Sequence, residues 1–222
     1  MEQSVSPLQD IRDRIARTAV IAQREPSSIE LIAISKTHPP EAIAPLIAQG
    51  QLVFGENRVQ EAQDKWPELL DANPDVALHL VGQLQSNKAA DAVEWFDCIH
   101  SLDRSSLVTA LGKAMDKAGR QVPCFVQVNI GAEDQKGGCA IADVAGLLAE
   151  ARTAQVPVIG LMCVPPADVE AAPYFALLAK IAADNGIDQL SMGMSNDFET
   201  AIMLGATHVR VGSALFGNRS YA

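Results

Sequence analysis

Short apolar runs alternate along this chain with longer segments in which apolar residues recur every three or four positions. The runs predict eight β-strands, at 31–35, 51–55, 77–82, 98–102, 124–130, 157–162, 189–193 and 208–212. A segment of helical periodicity follows each run except the last, which nearly reaches the carboxyl terminus. This alternation is typical of parallel strands joined by helical crossovers.

The number of units decides between two α/β architectures. An open doubly wound sheet would be expected to carry a G-x-G-x-x-G motif after its first strand, where this chain reads SKTHPP. No Ser/Pro-rich linker or break in composition separates the eight units. We therefore predict the α/β fold class, as a single (β/α)8 TIM-type barrel whose one domain spans 1–222.

Two segments that precede strands carry further local signals. The segment 1–30 predicts an extra N-terminal helix that packs on the barrel, because Ser6 followed by Pro7 is typical of a helix start and Leu8, Ile11 and Ile15 form an apolar stripe. In PEAIAPLIAQG, Pro45 would remove a hydrogen bond from a helix interior. That helix is therefore predicted to begin near Pro45 or to bend there.

Composition restricts the classes of partner and compartment. Among 222 residues, 17 basic and 27 acidic side chains give a net charge of −10, which disfavours nucleic acid and membrane surfaces as partners. Four widely spaced cysteines predict reduced, buried thiols, and a charged N-terminus without a long apolar run predicts a cytoplasmic protein. The four histidines lack metal-ligand spacing and are interpreted as packing or loop residues, so no metal is predicted.

Polar residues follow the predicted strands, at the end where barrel proteins carry their chemistry. Lys36 directly follows the first strand, on the face that it shares with Ile32 and Ile34. Partial desolvation would favour the neutral amine of a side chain that normally titrates near about 10.4, and a neutral amine can attack a carbonyl to form a Schiff base. The alternative is a strand-end lysine that extends into solvent.

An anion site is predicted on the opposite side of the barrel mouth. The segment SMGMSNDFETAIMLG predicts a helix capped by Ser195 or Asn196, with Glu199 completing a capping box, and Gly212 and Ser213 follow the last strand. Amides from the last two loops commonly hold phosphate in barrels. Gly193 and Gly212 are equally compatible with tight turns that bind no anion.

Three other polar positions have competing interpretations. Arg210 points into the mouth and needs an acceptor, which is a ligand or else Glu56 or Asp197. Asn57, at a strand-to-helix junction, is well placed for a ligand. Glu61 and Lys65 are interpreted as a solvated pair on a helix surface. Lys136, in the loop after the fifth strand, is interpreted as solvated rather than catalytic.

Several segments together resemble one known family. They are AISKT, FGENRVQEA, HLVGQLQSNK, IHSLD, QVNIGAEDQKGG, GLMCV, LSMGMSNDFETAI and VRVGSALFGNR. In this order, over 31–219, they resemble the pyridoxal phosphate homeostasis family. These are pyridoxal 5′-phosphate (PLP) binding barrels similar to the barrel half of alanine racemase.

The resemblance implies roles for particular residues. It implies that PLP is held as a Schiff base on Lys36, that Asn57 lines the cofactor and that Arg210 faces the pyridine nitrogen. The same resemblance implies a phosphate site and two residues that line the ring. The phosphate residues are Ser195, Gly212 and Ser213, and the ring residues are Met194 and Met162. Gln83 departs from the family, in which histidine is common, and is given no role.

The function expected from the resemblance is a non-catalytic carrier or regulator of PLP homeostasis and of amino-acid and keto-acid balance. Arg210 is always a donor, which weakens the ring as an electron sink, and no second base is evident before the chain ends. Expected partners are PLP and possible client enzymes or a regulatory protein, with a monomer or weak dimer. The alternatives are a weak PLP-dependent racemase or related enzyme, and a PLP-independent aldolase that uses Lys36 directly.

Overall fold

The computed structural model describes residues 5–217; the segments 1–4 and 218–222, including the end of the motif VRVGSALFGNR, lie outside the described part. Eight parallel strands close into a barrel in chain order, and β1 pairs with β8. The strands are β1 (Glu30–Ile34), β2 (Val53–Glu56), β3 (Ala77–Leu80), β4 (Cys98–Leu102), β5 (Cys124–Gln127), β6 (Val158–Met162), β7 (Gln189–Ser191) and β8 (His208–Val211). The predicted TIM-type barrel is confirmed.

Helices follow the strands and surround the barrel. They are α1 (Pro7–Ile21), α2 (Pro40–Ala48), α3 (Val59–Lys65), α4 (Pro67–Ala72), α5 (Ala89–Trp95), α6 (Ser105–Ala118), α7 (Val144–Thr153), α8 (Ala172–Asp184), α9 (Phe198–Met203) and α10 (Ser213–Phe216). Short 3-10 turns occur at Pro26–Ser28, Ser86–Lys88 and Ile141–Asp143.

Two helix predictions need correction. Of the two alternatives for α2, a start near Pro45 is wrong, because Pro40 occupies the first turn, where proline needs no backbone donor. The helix continues through Pro45, and a bend at that residue stays a prediction. The last strand is followed by the short helix α10, which the apolar periodicity did not predict.

The N-terminal helix α1 forms as its sequence predicts. Ser6 Oγ accepts a hydrogen bond from the Gln9 amide at 3.2 Å, and Pro7 opens the helix. Leu8, Ile11 and Ile15 are buried, and α1 contacts α9 and α10. This helix therefore covers the part of the barrel wall that lies beside the last strand.

The barrel interior is filled by side chains rather than open. Cys98, Phe125 and Met162 from three adjacent strands form a small buried apolar cluster. Gly160 leaves space for it, since a Cβ there would lie 2.2 Å from Phe125 Cε1. All four cysteines are buried and free, as expected. No helix within 5–217 is long and apolar enough to cross a membrane.

Candidate functional site

A cavity of about 900 Å³ opens among the loops that follow the strands. Six of the eight residues that the sequence assigned to the site line it, from segments that lie far apart in the chain. They are Lys36, Met194, Ser195, Arg210, Gly212 and Ser213. Barrel closure brings β1 beside β8, so the lysine after one strand and the glycine and serine after the other face the same space.

Lys36 lies two residues beyond the end of β1 and is half-buried. Ile34 lines the same cavity, and Ile32 is fully buried beneath it, so the shared apolar face was correctly predicted. The neighbours of Lys36 are unusual: Ser35 is fully buried, and Thr37 has a φ of 65°. A β-branched residue rarely adopts this left-handed conformation, so other contacts must hold it.

A charged cluster supplies those contacts, and it corrects the interpretation of Glu61 and Lys65 as solvated, because Lys65 is buried and the Glu61 side chain is only 26% exposed. We define the anchor cluster as Glu56, Glu61 and Lys65. Lys65 Nζ lies 2.7 Å from Glu56 Oε1 and 3.1 Å from Glu61 Oε1. The side chain of Lys65 is 8% exposed and that of Glu56 is fully buried. The i, i+4 spacing indicated the pair but not its burial, because the spacing alone does not say which helix face meets the barrel.

Arg210 is buried and its hydrogen bonds are not those considered from the sequence. Nη1 donates to Ser191 Oγ at 2.6 Å and Nη2 donates to the Cys163 carbonyl oxygen at 2.9 Å. Glu56 belongs to the anchor cluster instead. Burial lowers the pKa of the Arg210 guanidinium, and Asp197 only opposes this shift through its charge. These two bonds use two of the five guanidinium N–H groups, and Arg210 lines the cavity.

The loop between β7 and α9 is organised differently from the predicted capping box. Helix α9 begins after Asp197, whose Oδ1 accepts from the Met194 amide at 2.6 Å. Ser195 Oγ instead accepts from the Gly212 amide at 3.3 Å, which ties the loops after β7 and β8 together. Glu199 pairs with Arg14 of α1 at 2.9 Å. The proposed cap failed because these side chains found tertiary partners.

Several other residues are placed where the sequence did not position them. Asn57 does not line the cavity. Its backbone packs against Gly82, where an added Cβ on residue 82 would lie 2.2 Å from the Asn57 carbonyl oxygen. Met162 packs inside the barrel rather than at the cavity. Gln83 donates to Gln127 Oε1 at 2.7 Å, across the mouth from β3 to β5.

The outer part of the cavity carries both signs of charge. Lys136 lines it and bonds Glu133 Oε2 at 2.6 Å and the Pro165 carbonyl at 2.8 Å, so this lysine is half-buried rather than solvated. The carboxylates of Asp168 and Glu170, in the loop after β6, also line the cavity.

A histidine cluster lies in the barrel interior, where the sequence interpretation expected only packing or loop residues. His79 Nδ1 and His100 Nε2 are 3.1 Å apart, and His100 Nδ1 lies 2.9 Å from Ser191 Oγ. Burial lowers the pKa of His79 to about 4 and that of His100 well below its usual range, so both rings are neutral. The sequence did contain a signal for this cluster. Residue 79 lies on β3, and residues 98 and 100 lie at alternate positions on the adjacent strand β4, so their side chains can meet. A search for H-x-x-x-H spacing within one segment does not detect residues on neighbouring strands.

The same cluster includes three potential metal-ligand atoms. Those of His79, Cys98 and His100 all lie within 4.8 Å of one another. Burial raises the pKa of the Cys98 thiol well above its usual value, and the Arg210 guanidinium bonds the serine that His100 contacts. A metal ion bound by these atoms would have to displace the thiol proton and the hydrogen bond between the two rings.

Comparison with known proteins gives the same class of barrel. The family model described as alanine racemase, N-terminal domain, matches residues 8–220. An alanine racemase of Clostridium difficile shares the fold with a TM-score of 0.71 at 14% identity, over 95% of this chain and 57% of that one. The family match and the fold thus define an alanine racemase N-terminal-domain type of barrel.

More similar proteins narrow the class. The pyridoxal phosphate homeostasis proteins of Pseudomonas aeruginosa and Escherichia coli K12 are 40% and 36% identical to this chain, over 94% and 97% of it and 92% and 96% of their own lengths. PipY of Synechococcus elongatus, solved with PLP bound, has a TM-score of 0.83 and 40% identity, over 93% of this chain and all of that one. The chain belongs to the pyridoxal phosphate homeostasis protein family.

Proposed function

We propose that this protein binds PLP as a Schiff base on Lys36 and acts as a carrier or regulator of PLP supply in the cytoplasm, not as an enzyme. One observation carries the proposal: a single cavity is lined by an amine, a guanidinium and a group of small polar loop residues. The names of the relatives and the PLP in PipY support it. Maintaining amino-acid and keto-acid balance, through client enzymes or a regulatory protein, is the wider role that we propose.

The donor set at the cavity fits the chemical groups of PLP. An aldehyde requires an amine, which Lys36 supplies. A phosphate requires several N–H and O–H donors, which the loops after β7 and β8 would supply through Ser195, Gly212 and Ser213 once the Gly212 amide exchanges its bond to Ser195 Oγ for the phosphate. A side chain in place of Gly212 would be crowded, since its Cβ would lie 3.3 Å from Ile34 Cβ. Met194, which is 39% exposed, supplies an apolar contact for the ring.

Arg210 is the residue that favours binding of PLP without catalysis. Bound PLP supplies a ring that withdraws electrons and so stabilises negative charge on an attached carbon. A guanidinium donates hydrogen bonds and cannot accept one, so Arg210 facing the ring nitrogen would keep that nitrogen unprotonated. An unprotonated ring withdraws electrons less strongly. This supports a carrier more than a racemase.

The absorption spectrum of the purified protein tests the proposal. Addition of PLP is expected to produce a visible band that borohydride removes, and Lys36→Ala is expected to lack the band. Lys136→Ala is the matched control, because Lys136 is the other lysine among the described residues that line the cavity. Mass spectrometry after borohydride should locate the added mass on residue 36.

Two outcomes would contradict the proposal. A wild-type protein that stays colourless with PLP would favour a lysine that acts directly on a carbonyl substrate. Turnover of an amino acid at an ordinary rate of about 1 per second or more, lost in Lys36→Ala, would favour an enzyme over a carrier.

A further inference from the structure

We propose that the anchor cluster of Glu56, Glu61 and Lys65 positions Lys36 for bond formation with PLP, by fixing the backbone on both sides of it. None of the three lines the cavity, so they are positioning residues and not part of the binding surface. The inference rests on the proposed function, because it concerns how Lys36 meets the aldehyde.

The cluster contacts the residue before Lys36 at two points, in addition to the backbone bonds from the Ser35 amide to the Gly55 carbonyl and from the His38 amide to the Ser35 carbonyl. Lys65 Nζ donates to the Ser35 carbonyl oxygen at 2.8 Å. Ser35 Oγ donates to Glu56 Oε1 at 2.6 Å. Ser35 is fully buried, so neither bond competes with bulk water. The chain therefore leaves β1 in one orientation.

The residue after Lys36 is held by the third member of the cluster. The Thr37 amide donates to Glu61 Oε1, which also bonds Lys65. Thr37 has a φ of 65°, a conformation that a β-branched residue avoids unless its surroundings impose it. Glu61 supplies that constraint, and Lys36 is thereby held between two fixed neighbours.

Most polar atoms of this largely buried cluster have partners; the exception is Glu56 Oε2, which is buried without a hydrogen bond. Lys65 has three N–H donors and three oxygen partners, on Glu56, Glu61 and Ser35. Glu56 Oε1 also accepts from Trp66 Nε1 at 2.9 Å. Buried ion pairs add little net stability over apolar side chains, so a buried cluster around one loop is better explained by the geometry that it imposes.

The test compares two ligands on four variants. PLP carries the aldehyde that reacts with a lysine, whereas pyridoxamine 5′-phosphate has the same ring and phosphate but an amine in its place. Glu61→Ala releases the Thr37 amide and Glu61→Gln keeps an acceptor for it. Lys65→Met removes one of the two donors to the Ser35 carbonyl and leaves the His38 amide. Gln51→Met is the matched control. Gln51 has a buried side-chain amide that donates to the carbonyls of Leu31 and Val53, near the starts of β1 and β2 and so at the end of the strands away from Lys36.

The expected result is a selective loss of PLP affinity. Glu61→Ala and Lys65→Met should each raise the Kd for PLP roughly tenfold or more, because a misplaced reacting group is costly, while the Kd for pyridoxamine 5′-phosphate stays at the wild-type value. Glu61→Gln should recover most of the loss. Gln51→Met should lower the urea midpoint without changing either Kd.

Three results would overturn the inference: unchanged PLP affinity in both variants, equal weakening of both ligands, or no recovery in Glu61→Gln. Hydrogen exchange of the ligand-free protein gives a reading that does not depend on PLP. Exchange in the segment 35–38 should accelerate in Lys65→Met and not in Gln51→Met, and equal rates would contradict the inference. A wild-type protein that binds no PLP would instead contradict the proposed function, and the exchange data would still decide whether the cluster fixes this segment.

Discussion

The two sides of the cavity differ in the interactions that hold their loops in place. On the β1 and β2 side, Lys36 is flanked by residues bonded to buried charges, and Lys65 contacts two carboxylates within 3.1 Å. On the β7 and β8 side, the loops meet through a neutral hydrogen bond of 3.3 Å between Ser195 and Gly212. Charges occur on both sides, but only the first side pairs them with each other: Arg210 and Asp197, on the second side, bond neutral groups.

The difference follows from what each side has to do. A lysine that forms a covalent bond must present one atom in one place, so rigid neighbours are useful. An anion can be shared among several amides and hydroxyls, each of which contributes modestly, so a looser arrangement is sufficient. Rigidity is therefore concentrated around the residue that would react.

The largest expected effect is on the rigid side. Glu56→Ala should lower the free energy of unfolding by about 3–5 kcal/mol, because it leaves Lys65 buried without its main partner. Urea denaturation measures this. Asp91→Ala, which removes the exposed Lys88–Asp91 pair, is the control and should cost less than about 1 kcal/mol. Equal costs would show that the anchor cluster is no more coupled to the fold than a surface pair.

The next effect concerns the histidine cluster beneath both sides. Burial lowers the pKa of His79 to about 4, so between about pH 6.5 and 4 the unfolded chain binds a proton that the folded chain does not. Stability attributable to His79 should therefore be lost as the pH falls through this window, by on the order of 3 kcal/mol in total. His100 shifts in the same direction.

Unfolding measured against pH in the wild type and in His79→Gln gives this contribution by difference, since the carboxylates are common to both proteins. The curve of the variant should be flatter between pH 6.5 and 4. Parallel curves would mean that His79 titrates normally in the folded protein and is not buried as the structure describes.

The smallest effect on stability is expected on the looser side. Ser195→Ala removes one weak bond to the Gly212 amide and should change the free energy of unfolding by about 1 kcal/mol or less. Its PLP should dissociate faster, while the borohydride-sensitive band still forms on Lys36. Unchanged retention of PLP would remove Ser195 from the proposed phosphate site and would weaken the contrast between the two sides.

Much of the architecture was predictable because it depends on local periodicity. Alternating strand and helix segments predicted the barrel, and the position of Lys36 just beyond an apolar strand predicted its place at the mouth. The helix cap at Ser195 or Asn196 was wrong, because Asp197 bonds Met194 and Glu199 reaches Arg14 of a distant helix. Local spacing cannot rank a cap against a partner 185 residues away.

The sequence by itself determined the order of elements, the strand ends and the types of residue that reach the mouth, since these depend on neighbours along the chain. Only the tertiary structure decided which of those residues are paired. Lys65 meets the Ser35 carbonyl across 30 residues, and His100 meets Ser191 across 91. Buried polar groups must be satisfied by whatever lies nearest in space, and closure of the barrel sets those distances.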